Sequence, residues 1–170
     1  MKIIAFAGSN SQHSINHQLV SFASSLMESS ETIRLNDYTL PMYSIDVEQN
    51  EGIPNEVKRL AKDLAIADAY IISVSEHNGN VSAFFKNCLD WLSRHDRDFL
   101  KGKKIILLST SPGGKGGLNA LQTSVKMLPY FGGEVVGEMS IGSFNVVFRE
   151  QKIIDEVVLS ELKALLKGIA

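Results

Sequence analysis

MKIIAFAGSNSQHSINHQLVSFASSLM, residues 1–27, is the stretch on which the fold turns. Ile3 to Ala7 is apolar without alternation, as a strand is when a parallel sheet has both faces covered. A short polar loop follows. From Ile15 to Met27 the residues Ile15, Leu19, Phe22, Ala23 and Leu26 then recur at helical spacing on one face. Strand, tight loop and amphipathic helix form the opening half of a βαβ unit.

The same alternation continues outward. Thr32 to Leu35 reads as a short second strand, and Asn36 to Gly52 as a long connection of the kind that carries function or an interface. Pro54 suits the first turn of a helix running to about Ala67. Tyr70 to Val74 reads as a third strand and Val81 to about Ser93 as a helix. Lys104 to Ser109 is a fourth strand, and Leu118 to Phe131 a helix closed by Gly132-Gly133. Glu134 to Ile141 is a fifth strand. Gln151 to the end reads as a last helix, with Ile154, Val157, Val158, Leu162, Leu165 and Leu166 as its stripe. Right-handed crossovers then favour one α/β architecture: a three-layer, doubly wound, parallel five-stranded sheet of order 2-1-3-4-5, with residues 1–170 as a single domain. A dinucleotide-type sheet would need a sixth strand, and none is evident.

Composition removes several function classes. The net charge of −2 offers no field for nucleic acid or an anionic membrane. No apolar run reaches the length of a membrane span, and the N-terminal run is too short for a secretory signal. The one cysteine, Cys88, forbids an internal disulfide and points to a reducing, cytoplasmic setting. Cys88 falls on the helix stripe with Phe84 and Leu92, so packing is its expected role; Trp91 is open to core or interface. His17 and His95 are read as solvated, and no metal site is expected. The chain lacks a Walker A motif, a G-x-G-x-x-G fingerprint and a G-x-S-x-G elbow.

In such a sheet, ligands sit beyond the carboxyl ends of the strands near the switch in strand order, here between the first and third. The loops after the first, third and fourth strands are therefore the ones to read. AGSNSQHSIN (Ala7–Asn16) crowds Ser9, Asn10, Ser11, Ser14 and Asn16 at a helix N-terminus, where free N–H groups and the dipole attract an anion such as a terminal phosphate. The plainer reading is that Ser11 or Ser14 caps the helix. SEHNGNVS (Ser75–Ser82) places Glu76, His77, Asn78 and Gly79 at a strand end. It fits either the edge of a flat ring or a simple Asn78-Gly79 turn. STSPGGKGG (Ser109–Gly117) offers Ser111, Gly113, Gly114, Lys115 and Gly116, either a backbone that packs on a planar ligand or a floppy surface loop.

These three stretches together resemble the NADPH-dependent FMN reductase family, whose relatives include quinone, chromate and azo-dye reductases on a flavodoxin-like fold. GSNSQHSIN (Gly8–Asn16) matches the family's G-S-x-R-x-x-S-x-N except at the arginine. SEHNGN (Ser75–Asn80) with KNCLDW (Lys86–Trp91) answers to P-E-Y-N-G-S and K-N-A-I-D-W, and SPGGKGG (Ser111–Gly117) to S-P-G-x-x-G-G. LPMY (Leu40–Tyr43) also resembles the family's segment after the second strand. The resemblance implies FMN phosphate contacts from Ser9, Ser14 and Asn16, with Asn10 and Ser11 close by. It implies isoalloxazine contacts from Glu76, His77, Asn78 and Gly79 on one side and from Ser111 to Gly116 on the other. It further implies NADPH or NADH as electron donor, a small acceptor such as a quinone, azo compound, metal oxyanion or free flavin, and a homodimer or homotetramer to which the helix of Trp91 contributes. No side chain is expected to act as an acid or base; backbone N–H groups near Gly79 and the glycine-rich loop would stabilise charge on the reduced ring.

Two departures are specific to this chain. Ser11 stands where the family carries arginine, with His13 as the nearest substitute cation; Ser75 and His77 replace proline and tyrosine. The rival reading is a flavodoxin-like electron carrier or flavin-binding module without turnover. A receiver-like signalling domain is disfavoured because the first strand ends in Ala7-Gly8-Ser9, without the acidic residues that would hold a metal.

Overall fold

The structure, a computed structural model, describes residues 1–170. In chain order it consists of β1 (Ile3–Gly8), α1 (Ile15–Ser25), β2 (Ser30–Thr32), α2 (Ile45–Glu51), α3 (Asn55–Ala65), β3 (Ala69–Val74), a small hairpin of β4 (Glu76–His77) and β5 (Asn80–Val81), α4 (Ala83–His95), β6 (Lys104–Thr110), α5 (Leu118–Met127), β7 (Glu134–Ile141), α6 (Phe144–Val147), a second hairpin of β8 (Phe148–Arg149) and β9 (Lys152–Ile153), and α7 (Glu156–Leu166). Five strands pair in the order β2-β1-β3-β6-β7, all parallel. Counting sheet strands alone, this is 2-1-3-4-5, the expected flavodoxin-like topology.

The sheet divides two apolar layers. On one face Ile3, Ala5, Ile71 and Leu108 pack with Leu19, Val20 and Ala23 of α1 and Leu162 and Leu166 of α7. On the other, Ile4, Phe6, Ile72 and Leu107 pack with Leu60 and Leu64 of α3, Phe85, Cys88 and Leu92 of α4, and Leu121 of α5. Every residue of β1 and β3 is buried, which is why those segments read as unbroken apolar runs. Gly8 lies opposite Val74, and Val74 opposite Ser109. The loops that follow β1, β3 and β6 therefore open side by side at one edge.

Local chemistry fixes how these elements meet. A Cβ on Gly8 would come within 2.7 Å of the Phe85 ring, so the glycine is what allows α4 to seat against the end of β1. Ser82 caps α4 by accepting from the Phe85 N–H, and its hydroxyl donates to the Gly8 carbonyl at 2.7 Å. Such a cap contributes about 1 kcal/mol and here also ties two elements together.

Several expected boundaries shift. The second strand is Ser30–Thr32, not Thr32–Leu35; Leu35 instead begins a 3-10 turn that buries it together with Tyr38. The connection after it is not structureless. Ser44 caps α2 by accepting from the Asp46 N–H, and Gly52, at φ 75°, closes it. Helix α2 buries no residue, so no apolar stripe marks it. The helix expected over Leu118–Phe131 changes to 3-10 geometry at Leu128, beside Pro129. The last helix begins at Glu156, capped by Asp155, rather than at Gln151; Glu150 and Gln151 instead turn the β8–β9 hairpin with positive φ. Ile154 and Val157 are accordingly exposed instead of lining the helix's packed face.

Trp91 is core in this chain. It is 0% exposed, donates its ring N–H to the Pro41 carbonyl at 2.8 Å, and meets Tyr43 edge-on. Cys88 is buried as well, and burial pushes its thiol up to about 12. The thiol is therefore protonated at physiological pH and serves as packing. No helix is long and apolar enough to cross a membrane.

Candidate functional site

A cleft of about 250 Å³ opens where the loops after β1, β3 and β6 converge. Ser9, Ser11, Ser14, Asn16, Glu76, His77 and Ser111 line it, all from the expected set, together with His13, Ile15, Ser75, Thr110 and Pro112. Asn10, Asn78, Gly79, Gly113, Gly114, Lys115 and Gly116 lie outside that lining, on the rims or the turns of the same loops. Ligand clefts commonly enclose about 300–1,000 Å³, so this one is small.

At one end of the cleft is the N-terminus of α1. Ser14 caps it, its hydroxyl accepting from the His17 N–H at 3.1 Å, as the plainer reading held. Ser9 accepts from the Ser11 N–H at 3.3 Å and Ser11 from the His13 N–H at 3.2 Å, so successive serines curl the loop. The N–H groups of Asn10, Gln12, Ile15 and Asn16 find no acceptor within the chain. These free donors, with the helix dipole behind them, suit an anion. No arginine or lysine is among the lining residues; His13 and His77 are the only side chains there that can carry positive charge.

Asn16 departs from its expected role. Its side chain is buried, with Oδ1 accepting from the Ser73 hydroxyl at 2.8 Å and the Thr110 N–H at 3.0 Å, and Nδ2 donating to the Thr110 carbonyl at 3.1 Å. The amide braces α1 against the ends of β3 and β6 and leaves only its backbone N–H to face a ligand. Glu76 is also committed elsewhere. Its carboxylate accepts from the Asn119 and Ala120 N–H groups at 2.9 and 3.2 Å, and so caps α5, whose N-cap residue Gly117 has no side chain to do it.

The other two loops have defined shapes. Asn78 and Gly79, at φ 53° and 77°, turn the β4–β5 hairpin, so the turn reading of that dipeptide holds and the hairpin projects His77 at the cleft. The glycine-rich loop is docked, not floppy. The Gly113 carbonyl accepts from the Ser143 N–H, the Ser111 carbonyl from the Phe144 N–H, and the Lys115 carbonyl from the Ser140 hydroxyl. A Cβ on Gly116 would come within 2.5 Å of Ser140 Oγ, so this glycine serves loop packing rather than ligand approach. Gly114 has open space where a Cβ would stand, and Gly113 only a distant contact with Ser111, as a surface that receives a flat ligand requires. Gly142 is the member that sequence reasoning missed. A Cβ there would strike the Gly114 carbonyl, so Gly142 is what lets the loop lie down. Its signal was its place directly after β7, at the same sheet edge.

His13 and His17 stand four residues apart, a spacing that suits a shared metal within one helix. Here the helix begins at Ile15, and the two histidines line separate clefts. His17 is half-buried rather than solvated. Burial, and then the charge of Arg34, hold its imidazole below the usual range against a smaller opposing effect of Asp37.

A family model described as NADPH-dependent FMN reductase matches residues 1–145. An uncharacterized protein of Mycoplasma pneumoniae is 32% identical over 155 residues, covering 87% of this chain and 91% of that protein. The quinone reductase of Escherichia coli K12 is 40% identical over 78 residues, which span 46% of this chain and 42% of that enzyme. Among solved structures, the flavoenzyme NAD(P)H:(acceptor) oxidoreductase FerB of Paracoccus denitrificans superposes with a TM-score of 0.80 at 25% identity, over 99% of this chain and 94% of that one.

Proposed function

Because this chain belongs to the NADPH-dependent FMN reductase family, we propose that it holds FMN in the three-loop cleft and passes electrons from NADPH or NADH to a small acceptor. Similarity to a quinone reductase supports a quinone as the acceptor; an azo compound, a metal oxyanion or free flavin is the further range that the family resemblance implies. One observation carries the reading. Free N–H groups at the start of α1 share one cleft with Ser111 and Pro112 of a docked loop, whose next residues, Gly113 and Gly114, have room for a flat ligand beside them.

In this reading Ser9, Asn10, Ser11 and Ser14 surround the phosphate, with the backbone N–H groups of Ile15 and Asn16 as donors. His77, Asn78 and Gly79 stand on one side of the ring, and Ser111, Gly113, Gly114 and Lys115 on the other. Bound FMN would supply two-electron redox chemistry between the nicotinamide and the acceptor. The chain's own contribution is to grip, orient and polarise. Asn16 and Glu76 set the loops, and the N–H groups of the glycine-rich loop favour negative charge at the ring edge. The open cleft lets donor and acceptor use the same face in turn. The family resemblance supports a homodimer or homotetramer, and the single buried Cys88 a reducing cytoplasmic setting.

Titration of the apoprotein with FMN, followed by stopped-flow mixing with NADPH and with NADH, tests the proposal. Saturable quenching of the flavin fluorescence and then bleaching of its absorbance are expected. Binding without bleaching would leave an electron carrier, and no binding at micromolar FMN would reject the site.

A further inference from the structure

A second cleft, of about 450 Å³, lies between the outer side of α1, the end of β2 and the β8–β9 hairpin. Arg34, His17, Gln18, Ser21 and Gln151 line it with the ring of Phe148, and no carboxylate is among its lining residues. Lys2, Arg59, Lys86 and Arg94 each pair with a carboxylate elsewhere in the molecule. Arg34 pairs with none, and its guanidinium makes no hydrogen bond to the chain although it is half-buried. A partly desolvated cation without a partner is unfavourable unless something else supplies the counter-charge. The same charge acts on His17 one helix away, where it helps hold the imidazole neutral. Arginine presents a planar fork that matches phosphate oxygens, and the amides, hydroxyl and ring beside it suit the sugar or base that carries a phosphate.

We propose that this cleft binds a phosphomonoester, anchored by Arg34 with His17, Gln18 and Ser21 as further donors. Two sources present that chemistry: the 2′-phosphate that separates NADPH from NADH, and free phosphate or a nucleoside monophosphate. The NADPH source rests on the function proposed above; the phosphate site itself does not.

The test is NMR of the histidine ring signals in the FMN-loaded protein, titrated with inorganic phosphate, adenosine 2′-monophosphate and adenosine 5′-monophosphate. Loaded FMN occupies the α1 loop, and exposed His95 serves as the distant control. A saturable shift at His17 is expected, weakened roughly tenfold or more in Arg34→Gln, because a hydrogen bond to a charged group is lost. Near-ultraviolet circular dichroism reports that the variant keeps its fold. A preference for the 2′-monophosphate, with a fall in the variant's preference for NADPH over NADH, assigns the site to the electron donor. Equal responses to all three anions assign it to free phosphate. No saturable shift at His17, or equal affinity in Arg34→Gln, overturns the proposal. If FMN does not load, the functional reading falls by itself, and the same titration on the unloaded protein still separates His17 from His13 of the α1 loop.

Discussion

Asn16 joins three elements through one side chain, since Ser73 and both backbone groups of Thr110 depend on its amide. Asn16→Ala leaves these buried groups without partners and is expected to lower stability by about 2–3 kcal/mol in urea denaturation. A fall in FMN affinity should accompany it, because the strand ends beneath the cleft lose their brace. The opposite case is Ser109. Its residue is 0% exposed, and its hydroxyl is the one buried side-chain polar atom with no hydrogen-bond partner. Ser109→Ala removes an unpaired group, so thermal unfolding should show a protein at least as stable, with a gain of about 1 kcal/mol. Residue types were legible at this scale, but roles were not always. Asn16 and Ser14 stood out as polar residues at a helix start. That Ser14 caps was legible, because its partner His17 lies three residues on; that Asn16 braces was not, because Ser73 and Thr110 lie 57 and 94 residues away from it.

At the scale of elements, the β4–β5 hairpin and α5 are held as one unit by Glu76. Glu76→Gln keeps an acceptor but removes the charge at the helix N-terminus, at a cost of about 1 kcal/mol. Amide exchange at Asn119 and Ala120 should quicken while the sheet amides keep their protection; unchanged exchange would show that the carboxylate does not cap α5. Elements that bury a full apolar face were plain in the sequence, β1 and β3 above all. Those that bury none or that turn without glycine were not. Helix α2 rests on Ser44 and Gly52 instead of a stripe, and the β8–β9 turn uses Glu150 and Gln151 at positive φ. Periodicity responds to burial, so it is silent where burial is absent.

Across the whole molecule, acidification should weaken the fold through His17. Well above 6.5 its imidazole is uncharged in both states. Below its ordinary value of 6.5 the unfolded chain takes up the proton first, because burial and Arg34 hold the folded imidazole lower. Stability therefore falls as pH drops below about 6.5 and levels once the folded imidazole is also charged. Urea midpoints measured across that range should decline less in His17→Gln; parallel declines would show that other groups govern the acid limb. By itself the sequence determined the layer order and the edge where function lies, because strand-to-strand alternation and right-handed crossovers leave few ways to cover a parallel sheet. It also marked the three loops by their crowded serines and glycines. Only the tertiary structure decided which of those groups still face a ligand. A side chain's free donors are what remain after its neighbours have been satisfied, and those neighbours arrive from distant strands when the sheet closes.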